Sequence, residues 1–336
     1  GGKSEYQQEK SLSHGAHIIV GTPGRVQRLL KKRILNIALV RYFVLDEADR
    51  MLDMGFIDDI LSINNFVPKE RQTLLFSATF PEDIVDLGSK LQTDAIEVSV
   101  DTTHDKSMIK EEFLEIDSHK QKDDFLLRTL GHYQAQQFIV FCKTKVITDQ
   151  VAKKLRSKGI SAASIHGDLE QNERTKVLTT FSNKSLCGIV ATDVAARGID
   201  VKGVDLVVNF DLPNDPEVYV HRIGRTGRAG NEGHAVSFVT PNEQYYFEQI
   251  QDYQDRDHTL SSIEAYEDEI EYTVVPTMKT LYISGGKKDK LRPGDIVGAI
   301  VGESKLDFKE IGDISITPVM SFVAITSENA DLVCEK

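Results

Sequence analysis

The sequence predicts an α/β protein built from two successive parallel-sheet domains and a smaller α+β module. Three observations lead there. Apolar runs of strand length alternate with amphipathic helical stretches in two sets; the polar stretch "DTTHDKSM" lies between the sets as a hinge; and a third, shorter set follows a strongly acidic stretch.

In the first set the strands are "HIIVGTP", "YFVLDEAD", "TLLFSAT" and "AIEVSV", with helices such as "GRVQRLLKK" between them. A run such as "YFVLD", apolar at nearly every position, suits a strand buried on both faces of a parallel sheet. The second set comprises "EEFLEI", "QFIVFCKT", "SAASIHGD", "GIVATD", "LVVNFD" and "HAVSFVT", separated by "TDQVAKKLRSKG" and "EQNERTKVLTTFSN". From about Glu248 to Glu271 the chain is acidic and poor in aliphatic residues, which predicts a helix-prone or flexible connector rather than a core. Beyond it "TLYISGG", "PGDIVGAIVG", "IGDISI" and "MSFVAIT" read as strand, helix, strand, strand. The domains so drawn are 1–104, 105–247, an acidic linker 248–276, and 277–336.

With 336 residues, 40% hydrophobic and 27% charged, the chain is long enough for two or three cores. No apolar run approaches the roughly 18–20 residues of a membrane span, and no signal peptide opens the chain, so no membrane partner is expected. Cys142, Cys187 and Cys334 lie far apart without metal-ligand spacing, which fits a reducing cytoplasm; Cys142, inside "FIVFC", reads as an inert strand thiol. A net charge of -12 argues against a surface that grips nucleic acid everywhere, while leaving room for a local basic groove.

The stretch "VLDEADRMLDMGF" sets Asp46 and Glu47 at the end of an apolar strand. Open parallel sheets bind ligands outside the carboxyl ends of their strands, and paired carboxylates there suit a magnesium nucleotide. The plainer alternative is that Asp46 caps the helix that follows. The usual partner, a G-x-x-x-x-G-K-[ST] phosphate loop, occurs nowhere in the chain. Ser77 and Thr79, in "SAT", end a strand expected beside that of Asp46, where their hydroxyls can hydrogen-bond the carboxylate edge. In the second domain "ATDVAARGID" places Thr192, Arg197 and Asp200 at a sheet edge, and "HRIGRTGRAG" spaces Arg222, Arg225 and Arg228 three apart, on one side of a helical turn. Such a run can be a solvated basic patch. Its interleaved glycines, and its separation from the carboxylates, point instead to two half-sites that divide the labour of phosphoryl transfer: magnesium ligands on one wall, arginines on the other.

Taken together, "TPGR", "DEAD", "SAT", "IVFCKT", "IHGDLEQNER", "ATDVAARGID" and "HRIGRTGR" occur in the order shown by the DEAD-box RNA helicases, and over residues 1 to about 245 the chain resembles that family. The resemblance implies two RecA-like domains, the first incomplete, that use ATP and Mg2+. It implies that Asp46 organises magnesium through water, that Glu47 positions the attacking water, and that Ser77 and Thr79 couple the nucleotide to strand separation. It assigns Asp200 to the ribose of ATP, Arg225 and Arg228 to the γ-phosphate, and His221 to a link with the first domain. RNA backbone contacts fall to Thr22, Gly24 and Arg25 in the first domain and to Thr144, Gly167, Arg174 and Thr192 in the second; His166 and His234 are read as structural.

The last module resembles the RNA-recognition (RRM-like) domain of the bacterial DbpA-type helicases, which implies binding to a 23S ribosomal RNA hairpin and to pre-ribosomal particles in large-subunit assembly. Tyr282 stands where such folds stack bases, and Lys287, Lys288, Lys290 and Arg292 in "KKDKLR" offer phosphate contacts, although a solvated basic turn reads the same way. By the family pattern the adenine-reading segment and the phosphate loop should precede Gly1, and "SENADLVCEK" falls inside a second helix of the recognition domain. The chain is thus expected to be a truncated piece of a monomeric ATP-dependent RNA helicase, negligibly active alone. The rival is a non-catalytic RNA-binding protein or regulator made of the same parts.

Overall fold

A computed structural model describes residues 5–77, 79–99, 108–193, 203–227, 232–266 and 271–335. Asp200, Arg197, Arg228 and most of the expected hinge lie outside the described residues. The chain divides into two compact units, residues 1–102 and 103–336.

In the first unit two parallel strands, β1 (Tyr42–Leu45) and β2 (Gln72–Leu75), pair from Tyr42 with Gln72 to Leu45 with Leu75. Helices Pro23–Lys31 and Ile57–Asn64 bury Leu29, Leu30 and Ile63 in one cluster with Leu35, Ile37 and Val67. The amphipathic helix Glu82–Leu91 turns Leu87 and Leu91 onto Leu45 and Ile60 in a second cluster. Two sequence expectations fail here. "HIIV" and "AIEV" form no strand, and Ile18, Val20, Ile96 and Val98 are exposed. β1 is not buried on both faces, since Tyr42 and Val44 are exposed and only Leu45 is buried. Burial of a strand is a property of its neighbours, and β1 pairs with β2 alone among the described residues.

The second unit holds a seven-stranded sheet. Its strands are β3 (Ile109–Glu115), β4 (Phe138–Phe141), β5 (Ala162–Ile165), β6 (Gly188–Ala191), β7 (Leu206–Asn209), β8 (Gly233–Val239) and β9 (Leu260–Ser261), in the order β5-β6-β4-β7-β8-β3-β9. Every pairing is parallel. All four residues of β4, of β6 and of β7 are buried, because apolar clusters cover both faces of the sheet. The six strands expected of the second set are all present.

The acidic stretch is more ordered than a connector. Helix Gln244–Gln254 buries Phe247 and Ile250, β9 pairs with β3, and the hydroxyl of buried Tyr266 donates to Glu112 Oε2 at 2.6 Å. Farther on, the Tyr272 hydroxyl donates to the Ala135 carbonyl at 2.6 Å. A few aromatic residues do here what aliphatic ones do elsewhere, and charge density hides them.

The last module is an antiparallel three-stranded sheet of β10 (Met278–Ile283), β11 (Ile311–Ile316) and β12 (Ser321–Thr326), in the order β10-β12-β11. Helices Pro293–Ser304 and Ala330–Glu335 cover one face, burying Ile296, Ile300 and Ala330 against Val323 and Ile325.

Candidate nucleotide and RNA site

In the first unit the carboxylate turn and the hydroxyl turn are joined by backbone and side chain together. β1 delivers Asp46, and Phe76, next after β2, receives the Ala48 N–H on its carbonyl at 3.0 Å. The Asp49 N–H donates to Ser77 Oγ at 3.1 Å, and Asp49 Oδ2 accepts the Thr79 N–H at 3.0 Å and its hydroxyl at 3.4 Å. Asp49 is buried, so this carboxylate is committed to the turn that holds Ser77 and Thr79. Hydrogen bonds from backbone and side chain thus tie the two turns together, and Asp46 and Glu47 are left exposed beside them. Sequence reasoning missed Asp49. Its signal was its place in the first turn of helix Ala48–Asp53, where a carboxylate can cap free N–H groups, its own helix's or a neighbouring turn's.

Asp46 Oδ1 accepts the Glu47 N–H at 3.1 Å, and Glu47 Oε2 stands 3.4 Å from Arg50 Nη1 with 60% of its side chain exposed. Glu47 adopts φ 53° and ψ 53°, the left-handed region, which costs an L-residue roughly 1–2 kcal/mol. Strain of this kind persists only where the surroundings fix it, and here β1, β2 and Asp49 do so.

Thr22 caps helix Pro23–Lys31 by its backbone alone, with its hydroxyl unused in the cap. A Cβ at Gly24 would come within 3.2 Å of Asp59 Oδ2, and Arg25 Nη1 donates to Gln8 Oε1 at 3.0 Å. These three residues share one helix start.

In the second unit Thr144, Gly167 and Thr192 follow the carboxyl ends of β4, β5 and β6, which are neighbours in the sheet, so the three line one edge. Thr144 Oγ1 accepts the Ile147 N–H at 3.3 Å as the cap of helix Lys145–Ser157. A Cβ at Gly167 would meet nothing within 4 Å, so its approach path is open on the protein side. The Thr192 N–H donates to the Ile165 carbonyl at 3.3 Å, and Arg174 sits in the first turns of helix Gln171–Ser182. His166, read as structural, is buried with Nε2 3.1 Å from Asp149 Oδ1.

The arginine run does not lie on one exposed side. Arg222 is buried, with Nε and Nη2 on the two Asp193 oxygens at 2.6 and 2.8 Å and Nη1 on Asn209 Oδ1 and the Asp211 carbonyl at 3.1 and 2.7 Å. A guanidinium with so many buried acceptors holds the ends of β6 and β7 together and cannot reach a ligand. Arg225 follows helix Pro216–Ile223 in a half-buried turn, and His221 Nε2 lies 3.5 Å from Glu217 Oε1, one turn back on that helix. Burial pushes the Cys142 thiol well above its ordinary value, with Asp211 adding to the rise, as an inert strand thiol requires.

In the last module Lys287, Lys288, Lys290 and Arg292 are all exposed, and no ion pair engages their side chains among the described residues. Gly286 makes the turn possible: a Cβ there would lie 2.3 Å from the Thr317 carbonyl oxygen. Tyr282 on β10 pairs in register with Phe322 on β12, ring centroids 5.9 Å apart.

This architecture, parallel-sheet domains with carboxylate, hydroxyl and arginine turns at strand ends and a small antiparallel module after them, places the chain among the nucleic-acid helicases. Family models agree: the DEAD/DEAH box helicase model matches residues 1–87, the helicase conserved C-terminal domain residues 121–230, and the DbpA RNA binding domain residues 280–336. The chain is 45% identical over 331 residues to the ATP-dependent RNA helicase DbpA of Escherichia coli (strain K12), covering 97% of this chain and 70% of that one. It is 47% identical to the DEAD-box ATP-dependent RNA helicase CshA of Geobacillus kaustophilus (strain HTA426), covering 72% of this chain and 52% of the relative, so it spans about half the length of that protein. Among solved structures it resembles S. cerevisiae Dbp5 bound to RNA and ADP BeF3, with TM-score 0.67 and 35% identity, covering 74% of this chain and 66% of that one. The chain belongs to the DEAD-box ATP-dependent RNA helicase family.

Proposed function

We propose that the chain works within an ATP-dependent RNA helicase of the DbpA kind, coupling ATP hydrolysis to local melting of RNA duplexes during assembly of the large ribosomal subunit. The observation that supports this best is Asp49, whose carboxylate ties the turn of Asp46 and Glu47 to that of Ser77 and Thr79. A change at the nucleotide is thereby passed mechanically to the second turn. Asp46, exposed at the end of β1, offers a hard oxygen donor for Mg2+ through water. Magnesium commonly keeps its waters and leans on substrate phosphates, where it neutralises their charge. Glu47 orients and polarises the attacking water, its exposed carboxylate held in place by a strained backbone. Arg225 answers the γ-phosphate, as does Arg228, and Asp200 the ribose; His221 links that site to the first domain.

RNA backbone is taken up by Thr22, Gly24 and Arg25 and, along one sheet edge, by Thr144, Gly167, Thr192 and nearby Arg174. Such contacts position without reading sequence. Choice of RNA belongs to residues 277–336, whose cations at Lys287, Lys288, Lys290 and Arg292 grip a 23S ribosomal RNA hairpin on pre-ribosomal particles; the protein acts as a monomer in the cytoplasm. The domains are those drawn from the sequence, and the described residues of the linker, 248–266 and 271–276, pack on the second. The test is a paired titration of that hairpin and an unrelated hairpin of equal length at several salt concentrations. The expected result is a preference for the ribosomal hairpin that the quadruple alanine variant of the basic loop loses, with a shallower salt slope. Equal affinity of the unchanged chain for both hairpins overturns the assignment of the RNA target.

A further inference from the structure

Thr144, Gly167 and Thr192 share one edge of the sheet but not one degree of support. Thr144 and Thr192 follow β4 and β6, each flanked by strands on both sides, whereas Gly167 follows β5, the border strand, which pairs with β6 alone among the described residues. A turn at a border has fewer packed neighbours and opens more readily. Gly167 adds to that freedom, having no side chain to pack.

Helix Lys145–Ser157 supplies the missing support. The His166 carbonyl accepts the Leu169 N–H at 3.3 Å, closing the turn around Gly167 and Asp168. The residues on either side of Gly167 are both tied to that helix, at positions four apart on one of its faces. Lys145 Nζ donates to Asp168 Oδ2 at 2.5 Å; Asp149 Oδ1 accepts the Ser164 hydroxyl at 2.7 Å and faces His166 Nε2 at 3.1 Å. The two ties differ in weight. Lys145 and Asp168 are both well exposed, where an ion pair contributes little. His166 is buried, and its Nδ1 meets no hydrogen-bond partner among the described residues. The nitrogen that faces a carboxylate carries the proton, because two lone pairs set against each other repel, so Nε2–H donates to Asp149 and the ring depends on that one bond for its orientation.

We propose that Asp149 is the positioning residue of the Gly167 contact, holding the turn through His166 so that the Gly167 backbone meets RNA already in place. The inference rests on the RNA-backbone reading given above. The helix that carries Asp149 is capped by Thr144, so the same tie sets Gly167 against Thr144, and the two can take up one strand of RNA together. An untied turn has to be ordered on binding, and fixing the backbone of one residue costs about tenfold in affinity. Charge alone predicts the opposite sign. Asp149 is 57% exposed, and removing a carboxylate beside a polyanion should tighten binding.

The experiment is fluorescence-anisotropy titration with oligo(U) of about twelve nucleotides, a length within the reach of single-strand sites, at several salt concentrations. The parent is the whole chain carrying the quadruple alanine change in its basic loop, so that binding reports the sheet edge. Asp149→Ala should weaken binding roughly three- to tenfold and leave the salt slope unchanged, since no phosphate contact is removed. Asp149→Asn, which keeps an acceptor oxygen for both donors and loses only the charge, should bind at least as tightly as the parent. Alanine suits an exposed helix position, and hydrogen exchange without RNA guards against unfolding: in Asp149→Ala the Leu169 N–H should exchange faster while β4 stays as slow as in the parent. If Asp149→Ala binds as tightly as the parent or tighter, if Asp149→Asn is weakened as much as Asp149→Ala, or if the Leu169 N–H is as slow as before, Asp149 does not position the turn. If the parent binds no oligo(U), the RNA reading of the sheet edge fails and this role with it.

Discussion

β1 and β4 are both four-residue apolar strands leading into residues of the candidate site, yet β1 exposes Tyr42 and Val44 while β4 buries Phe138 through Phe141 completely. The difference is in their neighbours. β4 pairs with β6 on one side and β7 on the other and has apolar clusters above and below, whereas β1 pairs with β2 alone among the described residues. An apolar run states what a strand can tolerate, and the sheet decides how much of it is used.

The largest effect that separates the two regions is expected at their arginines. Arg222→Ala should destabilise the second unit by about 3–5 kcal/mol, because it strands the half-buried Asp193 and takes the guanidinium donor from Asn209 Oδ1. Arg50→Ala, which removes a 3.4 Å pair with an exposed Glu47 and the packing of a side chain itself only 11% exposed, should cost the first unit about 1–2 kcal/mol. Denaturant unfolding read by hydrogen exchange for each unit separately checks both, and equal losses would break the comparison.

Next in size are the strands themselves. Ile139→Ala in β4 should cost about 2–5 kcal/mol by leaving a cavity in a closed core, whereas Val44→Ala in β1 should cost under about 1 kcal/mol. A large loss at Val44 in the same assay would mean that β1 is covered after all.

A smaller effect depends on pH. Burial tends to raise the Asp211 pKa, but the Lys122 ammonium at 2.9 Å, the Lys143 N–H and His119 outweigh it and hold the carboxyl below its ordinary range. A depressed carboxylate contributes stability that is present above its unfolded pKa, about 4, and is lost as pH falls through its folded value. Urea midpoints of the second unit should therefore drop on acidification below about pH 4. Asp211→Asn should lower stability at neutral pH and flatten that acid slope, and an unchanged slope would remove Asp211 from the account.

The smallest concerns Glu47. Glu47→Gly should relieve the left-handed backbone and stabilise the first unit by about 1 kcal/mol at most, since glycine also gains freedom in the unfolded chain. A fall in the unit's thermal midpoint would show that the carboxylate, and not the strain, dominates there.

The second sheet was legible because its central strands β4, β6 and β7 are nearly continuous apolar runs, so local pattern and global packing agree there. "HIIV" and "AIEV" misled because the same pattern has no partner in the described fold. The motif residues at strand ends were legible as well, since Asp46, Ser77, Thr144, Gly167 and Thr192 do follow strands. What escaped was which polar groups face inward: Asp49 and Arg222 look like their exposed neighbours in sequence, and only the turn geometry assigns one to a hydroxyl turn and the other to Asp193.

The most direct test of the account is hydrogen exchange of the whole chain with and without single-stranded RNA. The sheet edge after β4, β5 and β6, around Thr144, Gly167 and Thr192, and the loop around Lys287 to Arg292 should gain protection. The β4 core should stay as slow as before, and β1 should exchange faster than β4 in both conditions. RNA that protects neither the sheet edge nor the loop, at concentrations where titration shows it bound, would contradict the placement of the RNA surface.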